Sequence, residues 1–398
     1  MRILVISQFY KPDITAAAFR ITDFVDFLTK AGHDVLVITS YPHKTEVENY
    51  DFSKEKEIRR VKIKEVKKKG FSGYVSHYFS FMFKSMWCAW KNQKWGYDLI
   101  FVSSPPLFVG YGAIWLKRIL GKTLFVEIRD IWPDTAVAAG QLRKGSLPYK
   151  LASHVEKVIY KKSSKIAAVS EPMAKYIEGI RGSNVSICYN GVKQQEIASM
   201  KTPDGHNLSD EITIAYLGNI GLCQGVDDLV ELSKLILKSK RKIKIRLIGG
   251  GPEKESLQAK VKDYGTNKVI RFEGPFPKDK IENIVSNDID ILFLNLKDDP
   301  VFHKTIPSKV FDYLLYKRPI VFGIKGEGED IINQLEAGIG YRSGDIESLM
   351  ESLNLIISDY EKYIKNCERK NLDLLKEKFT REGNFSSYLK EFRELVDN

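Results

Sequence analysis

Ile212-Thr213-Ile214-Ala215-Tyr216-Leu217-Gly218-Asn219-Ile220-Gly221-Leu222-Cys223-Gln224-Gly225-Val226 runs from an apolar, β-rich segment straight into a glycine-rich turn. A strand of about six residues that ends in glycines and gives way to a helical pattern is a βα unit. Its turn lets backbone amides approach a phosphate at the helix N-terminus. The turn is not GxGxxG, and a plain tight turn between strand and helix fits it equally well.

Moving toward the C-terminus, the pattern repeats. Ile243–Ile248, Val269–Phe272, Ile289–Phe293 and Pro319–Phe322 read as strands with helical patterns between them, the signature of a parallel α/β sheet. The second of these units ends in Gly249-Gly250-Gly251-Pro252-Glu253, again at a strand's carboxyl edge. Two glycine loops in one domain favour a phosphate-bearing ligand. His303-Lys304-Thr305-Ile306-Pro307-Ser308-Lys309-Val310-Phe311-Asp312 follows. Pro307 can begin a helix whose free N–H groups and positive dipole end face an anion, with Lys304 and Lys309 adding charge. Asp312 lies about one and a half turns further on. There it could accept both hydroxyls of a ribose; equally, Ser308 could simply cap the helix and Asp312 be an exposed acid.

Moving toward the N-terminus, residues 193–211 are polar, with Pro203, Asp204, Gly205 and Asn207, and read as a linker. Before it lies a second βα array: Ile3–Ser7, Val35–Thr39, Asp98–Ser103, Leu124–Ile128, Ile166–Val169 and Val185–Cys188, with helical patterns such as Ala17–Lys30 and Tyr149–Lys162. Leu124–Ile128 runs into Arg129-Asp130-Ile131-Trp132-Pro133-Asp134. Charges at a strand's carboxyl end are costly unless paired or used. The alternative to a functional role is an ion pair from Arg129 to Asp130 or Asp134. With 398 residues, two tandem arrays imply two domains facing across a cleft.

Composition narrows the classes further. Hydrophobic residues make up 43% and charged residues 28%, as in an ordinary folded protein. Cys88, Cys188, Cys223 and Cys367 are dispersed and read as reduced thiols, and the six histidines form no HxxxH or HExxH pattern, so no protein-held metal is expected. His33 precedes the second strand at a turn and reads as structural. The apolar run from Met1 to Ser7 is shorter than a signal-peptide core and reads as a strand. No stretch reaches the roughly 18 uncharged apolar residues that span a bilayer.

Net charge is +11, and +6 of it falls in residues 54–69, where nine Lys/Arg (among them Lys67, Lys68 and Lys69) meet three Glu. Phe71 to Trp95 is then rich in aromatics: Tyr74, Tyr78, Phe79, Phe81, Phe83, Trp87, Trp90 and Trp95, broken by Lys84, Lys91 and Lys94. The segment 54–95 suggests docking on an anionic membrane surface, against the alternative of a solvated basic strand and a core helix. Nucleic acid is not an expected partner, since no recognised motif accompanies the charge. Nor is a nicotinamide cofactor, since the first strand leads into Gln8-Phe9-Tyr10-Lys11-Pro12.

Several of these pieces, in this order, resemble family 4 of the retaining GT-B glycosyltransferases, and within it the bacterial O-antigen and capsule subgroup that includes N-acetyl-fucosaminyltransferase-like enzymes. They are Phe9-Tyr10-Lys11-Pro12-Asp13, Ala31-Gly32-His33-Asp34-Val35, Arg129 to Asp134, Asn190-Gly191-Val192, Gly218-Asn219-Ile220-Gly221, Gly249-Gly250-Gly251-Pro252, and Pro307-Ser308-Lys309 through Pro319. The resemblance implies a GT-B architecture: an acceptor domain over 1–195, a nucleotide-sugar domain over 205–378, and a final helix in 379–398 that crosses back onto the first domain. It implies transfer with retention from a nucleotide sugar, usually UDP-linked and here expected to be an N-acetylamino sugar. The segment 54–95 points to a polyprenyl-diphosphate-linked glycan as the acceptor, since a lipid-borne acceptor must be met at the bilayer surface. No metal or further cofactor is implied. The expected location is cytoplasmic, peripheral on the inner face of the plasma membrane.

By the resemblance, Asp312 takes the second acidic position of the Glu-x7-Glu motif and Lys304 stands where the first Glu would fall. Asn219 and Gln224 stand where relatives carry Arg and Lys. Gly218, Gly221, Gly250, Gly251, Lys304, Pro307, Ser308 and Lys309 complete the expected donor site. Diphosphate charge must then be met by Lys309, Lys304, the helix start or Arg129. Arg129 also stands where relatives carry a His, and Asp130 beside it is the candidate to orient or deprotonate the acceptor hydroxyl. Pro12, Asp13, Thr15 and Trp132 are the acceptor-side candidates. A GT-B-type nucleotide-sugar 2-epimerase and a non-catalytic scaffold remain as competing expectations.

Overall fold

The computed structural model describes residues 1–42, 50–64, 71–200, 207–208, 210–239 and 241–397, without the side chains of 71, 72, 74 and 75. Lys67, Lys68, Lys69, Pro203, Asp204, Gly205 and the Tyr74 side chain lie outside the described residues. The chain divides into two compact units, Met1–Asn190 with Arg381–Asn398, and Gly191–Thr380.

The first unit holds seven strands: β1 (Arg2–Ile6), β2 (Asp34–Ser40), β3 (Ile58–Val61), β4 (Leu99–Ser104), β5 (Thr123–Ile128), β6 (Lys165–Ala168) and β7 (Ser186–Ile187). They form one sheet in the order β3-β2-β1-β4-β5-β6-β7. Every pairing is parallel, with Leu4 opposite Leu36 on one side and Ile100 on the other. Helices cover both faces, which is why strands such as Leu99–Ser104 are continuously buried rather than alternating. β3 is short and only partly buried, so its Ile-Arg-Arg-Val sequence reads as basic surface in the linear chain.

The second unit repeats the plan with β8 (Ile212–Leu217), β9 (Ile243–Ile248), β10 (Ile270–Glu273), β11 (Ile291–Asn295), β12 (Ile320–Gly323) and β13 (Gly338–Gly340). Their order is β10-β9-β8-β11-β12-β13, all parallel. The sequence patterns miss β13 because Gly-Ile-Gly looks like a turn. The glycine is there for a different reason: a Cβ on Gly338 would stand 1.8 Å from Ile320 O of the neighbouring strand.

The final helix, Arg381–Asp397, belongs to the first unit. Phe385, Tyr388 and Phe392 share one helix face and are fully buried. The Phe385 ring lies 5.1 Å from Phe24, and Tyr388 and Phe392 each lie 5.0 Å from Phe125. Each such ring contributes roughly 2–3 kcal/mol by burial.

Candidate active site

In the second unit the chain leaves β8 toward β9 on one side and reaches β11 on the other. The carboxyl ends of β8 and β11 therefore flank the point where strand order reverses, where ligands of open α/β sheets bind. Three loops meet there.

The two glycine loops are zipped together: Gly218 N donates to Ile248 O at 2.8 Å, Ile220 N to Gly250 O at 2.8 Å, and Glu253 N to Ile220 O at 3.1 Å. Gly249 (φ +150°) and Gly251 (φ +152°) are fixed by this contact, since their Cβ atoms would stand 1.9 Å from Gly218 O and 2.3 Å from Ile220 O. Gly250 is different: nothing lies within 4 Å of its Cβ position, so it borders open space. Asn219 and Gln224 converge over Gly221, whose Cβ would stand 2.6 Å from Asn219 Nδ2 and 2.5 Å from Gln224 Oε1.

The third loop leads into the helix Ser308–Leu315. Pro307 is its N-cap residue and no side chain caps it, so the first N–H groups lack an intrahelical acceptor. Ser308 is not the capping residue. Lys309 runs back from this helix onto the first glycine turn: a Cβ on Gly218 would stand 2.8 Å from Lys309 Cε and 3.3 Å from Nζ. The ammonium lies 5.0 Å from the centre of the Tyr216 ring. Burial pushes its pKa down to about 8, with Asp312 pulling the other way. Leu217 N donates to the hydroxyl oxygen of Tyr313, from the same helix, at 3.0 Å, which ties the helix to the strand end. Lys304 sits in a short turn, with Nζ 3.3 Å from Pro300 O.

Two further features escaped the sequence patterns. Asp228 accepts from Asn295 Nδ2 at 2.9 Å, Tyr341 hydroxyl at 2.7 Å and Gly344 N at 2.9 Å, while the Asn295 amide also reaches Gly225 O. This network pins the far end of the first glycine turn to β11 and to the loop after β13. A shallow depression at the ends of β11 and β12 is lined by Lys297, His303, Lys325 and Arg342 among others.

In the first unit the charged end of β5 is built from side chains. Arg20 Nε and Nη2 donate to Glu127 Oε1 at 2.9 and 2.7 Å, Tyr388 hydroxyl donates to the same oxygen at 2.9 Å, and Ser103 Oγ donates to Oε2 at 2.9 Å. Arg20 and Glu127 are fully buried. Their charges favour each other, which holds the Glu127 carboxyl below its ordinary range against the opposing effect of burial. A lone Glu inside the apolar run Leu-Phe-Val-Glu-Ile is the signal that could have revealed this pair.

Arg129 follows, with its backbone N on Ser104 O at 3.1 Å and its side-chain Nε buried without a hydrogen-bond partner. Burial pushes its pKa down to about 10, leaving it cationic at neutral pH. Asp130 pairs with Thr135 Oγ1 at 2.5 Å, and Asp134 accepts from Tyr149 hydroxyl at 2.8 Å. Neither ion pair from Arg129, to Asp130 or to Asp134, is formed. Burial raises the Asp130 pKa, opposed by its hydrogen bonds from Thr135 and Ile131 N and by Arg129.

The acceptor-side candidates hold local structure. Thr15 Oγ1 caps the helix Ala16–Lys30 by accepting from Ala18 N at 3.1 Å, and Asp13 N donates to Tyr10 O beside the Pro12 turn. Trp132 meets the Phe108 ring edge-on at 6.1 Å. His33 lies against the chain's amino group, 3.3 Å away. Among the described residues, no group of three or more His, Cys, Asp or Glu is placed to hold a metal ion.

Two tandem α/β units with all-parallel, reversing sheets are the GT-B architecture. Residues 17–196 match the family model "Glycosyltransferase Family 4" and residues 201–371 match "Glycosyl transferases group 1", so the chain belongs to the glycosyltransferases. It is 25% identical over 292 residues to an Escherichia coli (strain K12) protein carrying the provisional name colanic acid biosynthesis glycosyl transferase WcaI, across 68% of this chain and 71% of that one. Among solved structures it is similar to sucrose-phosphate synthase from Thermosynechococcus elongatus, with TM-score 0.73, 14% identity and coverage of 100% and 99% of the two chains. It is also similar to Anabaena Alr3699/HepE in complex with UDP, with TM-score 0.69, 14% identity and coverage of 99% and 100%.

Proposed function

We propose that the chain transfers a sugar, with retention and without a metal, from a UDP-linked N-acetylamino sugar to a polyprenyl-diphosphate-linked glycan in surface-polysaccharide assembly. The observation that carries the donor side is Lys309 lying over Gly218, beside an uncapped helix start and the open Gly250 edge. In this reading Lys309 supplies the cation that Asn219 and Gln224 do not, and Asp312 accepts the ribose hydroxyls. Front-face displacement needs stabilisation of the departing diphosphate more than a protein nucleophile. An ammonium held in a partly dry site and N–H groups already aimed outward need little reorganisation as that charge develops. In the first unit, Asp130 orients the acceptor hydroxyl and takes its proton, and Arg129 adds positive potential. The similarity to a protein solved with UDP, and to one named for colanic acid biosynthesis, supports the donor and the pathway class.

The test is a panel of UDP-, GDP- and dTDP-sugars in chelator, read as a rise in melting temperature. UDP-sugars are expected to stabilise the protein most, and Lys309→Ala and Asp312→Ala to remove the shift without changing the ligand-free melting temperature by more than a few degrees. No shift with any nucleotide sugar, or a shift that appears only with added divalent metal, overturns the reading.

A further inference from the structure

Three helices of the first unit, Phe71–Lys91, Leu107–Leu120 and Leu147–Lys162, form one layer over the sheet. They are packed tightly: a Cβ on Gly112 would stand 2.7 Å from Met82 Cγ, and one on Gly110 3.2 Å from Ile159 Cδ1. The Phe79 and Phe108 rings lie 4.4 Å apart, and Lys117 Nζ reaches Lys162 O at 3.1 Å. With the inner faces occupied, the outer side of each helix still carries large apolar side chains. Phe83, Trp87 and Trp90 form a stripe on the first helix, Trp115 and Ile119 on the second, and Leu147 and Leu151 on the third, all between 40% and 81% exposed. The spacings of three, four and seven residues put each set on one helix face.

The charge on the same layer is one-sided. The first two helices contain no Asp or Glu, and the single acid of the third, Glu156, is buried. Lys84, Lys91, Arg118 and Lys150 stand exposed among the apolar residues, with Lys91 Nζ 5.3 Å from the Trp87 ring and Arg118 Cζ 5.8 Å from the Trp115 ring. A face that combines exposed tryptophans with cations and no exposed carboxylate complements anionic headgroups over an apolar interior. It does not complement itself: a two-fold contact between copies would oppose cation to cation.

We infer that this three-helix layer, and not the basic and aromatic segment 54–95 alone, is the surface by which the protein docks on an anionic lipid bilayer. The inference rests on the proposed lipid-linked acceptor for its purpose, but the binding itself needs neither donor nor acceptor. The rings and aliphatic side chains enter the headgroup boundary, and the lysines and arginines meet the phosphates around them.

The test is flotation of the full chain with phosphatidylglycerol-containing and with purely phosphatidylcholine vesicles, at low and high salt. Wild type is expected to float with the anionic vesicles and to be released by salt. Trp115→Ser with Ile119→Ser, and Leu147→Ser with Leu151→Ser, lie outside residues 54–95, and each pair is expected to weaken binding by roughly tenfold. Because these side chains are exposed, circular dichroism and the UDP-induced rise in melting temperature stay unchanged. Wild-type binding retained by both double variants while Phe83→Ser with Trp87→Ser abolishes it would confine the contact to one helix and overturn the inference. So would absence of vesicle binding, or concentration-dependent self-association that the same substitutions remove. Loss of the UDP response with vesicle binding intact counts against the proposed chemistry and leaves the docking surface standing.

Discussion

The carboxyl end of β8 lies where strand order reverses in its sheet, the carboxyl end of β5 lies two strands out from β1 in the other, and the two are built from opposite materials. After β8 the chain spends glycines, so that two backbone turns can touch and present N–H groups with one lysine laid over them. After β5 it spends charged side chains, and the innermost of these, Glu127, is fully consumed by Arg20, Ser103 and Tyr388. One edge offers backbone N–H groups and an ammonium; the other balances its charge first and leaves Arg129 and Asp130 at the margin. Glu127→Ala is the severest break of this contrast. It strands the Arg20 guanidinium in the core and frees the final helix at Tyr388, so denaturant unfolding is expected to show a loss of roughly 3–5 kcal/mol. A loss under 1 kcal/mol would mean that the pair does not organise the first unit.

The glycine edge breaks differently, and two adjacent residues separate its structural and ligand-facing parts. Gly249→Ala must displace Gly218 O from 1.9 Å and adopt a positive φ, so it is expected to cost roughly 2 kcal/mol or more and to abolish the nucleotide-sugar response. Gly250→Ala meets nothing and is expected to change stability by less than about 0.5 kcal/mol. Any fall in donor affinity in the second variant is then a ligand contact. Equal stability losses in the two would remove the distinction.

Lys309 sharpens the comparison through pH. Its pKa is pushed down to about 8 from an ordinary 10.5. The folded protein therefore holds that proton less tightly than the unfolded chain, so ligand-free stability from this group rises with pH between about 8 and 10.5. On the proposed donor site, binding runs the other way, because a diphosphate beside Lys309 would favour the ammonium: affinity is expected to fall as pH passes 8. Lys309→Ala is expected to weaken donor binding by roughly 10- to 100-fold at neutral pH and to flatten that decline. Calorimetric titration across the range measures both, and a wild-type affinity independent of pH up to 10 would contradict the role given to this lysine.

Much of this was legible in the chain, for reasons that differ between the two edges. The strands of both sheets announce themselves as apolar runs because helices cover both faces, and β8 and β9 end where the glycines begin. β13 stayed hidden because glycines demanded by a neighbouring backbone are indistinguishable from turn glycines until Ile320 O is in place. Lys309 could be suspected from its position beside Pro307, but its reach to Gly218 depends on how three distant loops converge. The pairing of Arg20 with Glu127 spans more than a hundred residues, and Tyr388 enters from the far end of the chain. Local patterns hold no record of such partners, which is why Arg129 reads as a candidate for an ion pair that the structure does not form.

The smallest expected effect lies at the margin of the β5 edge. Asp130 can take a proton from an acceptor hydroxyl only while it is ionised, and burial already raises its pKa. The Thr135 hydroxyl at 2.5 Å opposes that rise by donating to the carboxylate. Thr135→Val removes the donor while keeping the side chain's shape, so the Asp130 pKa climbs further and the acid limb of the kcat profile moves to higher pH. The loss of one hydrogen bond to the carboxylate corresponds to a displacement of about one pH unit, and so to a rate loss of up to tenfold below the limb and almost none well above it. A uniform loss at every pH would assign Thr135 a structural part only. An unmoved acid limb in Thr135→Val, with Asp130→Asn still active, would take proton transfer away from Asp130 altogether.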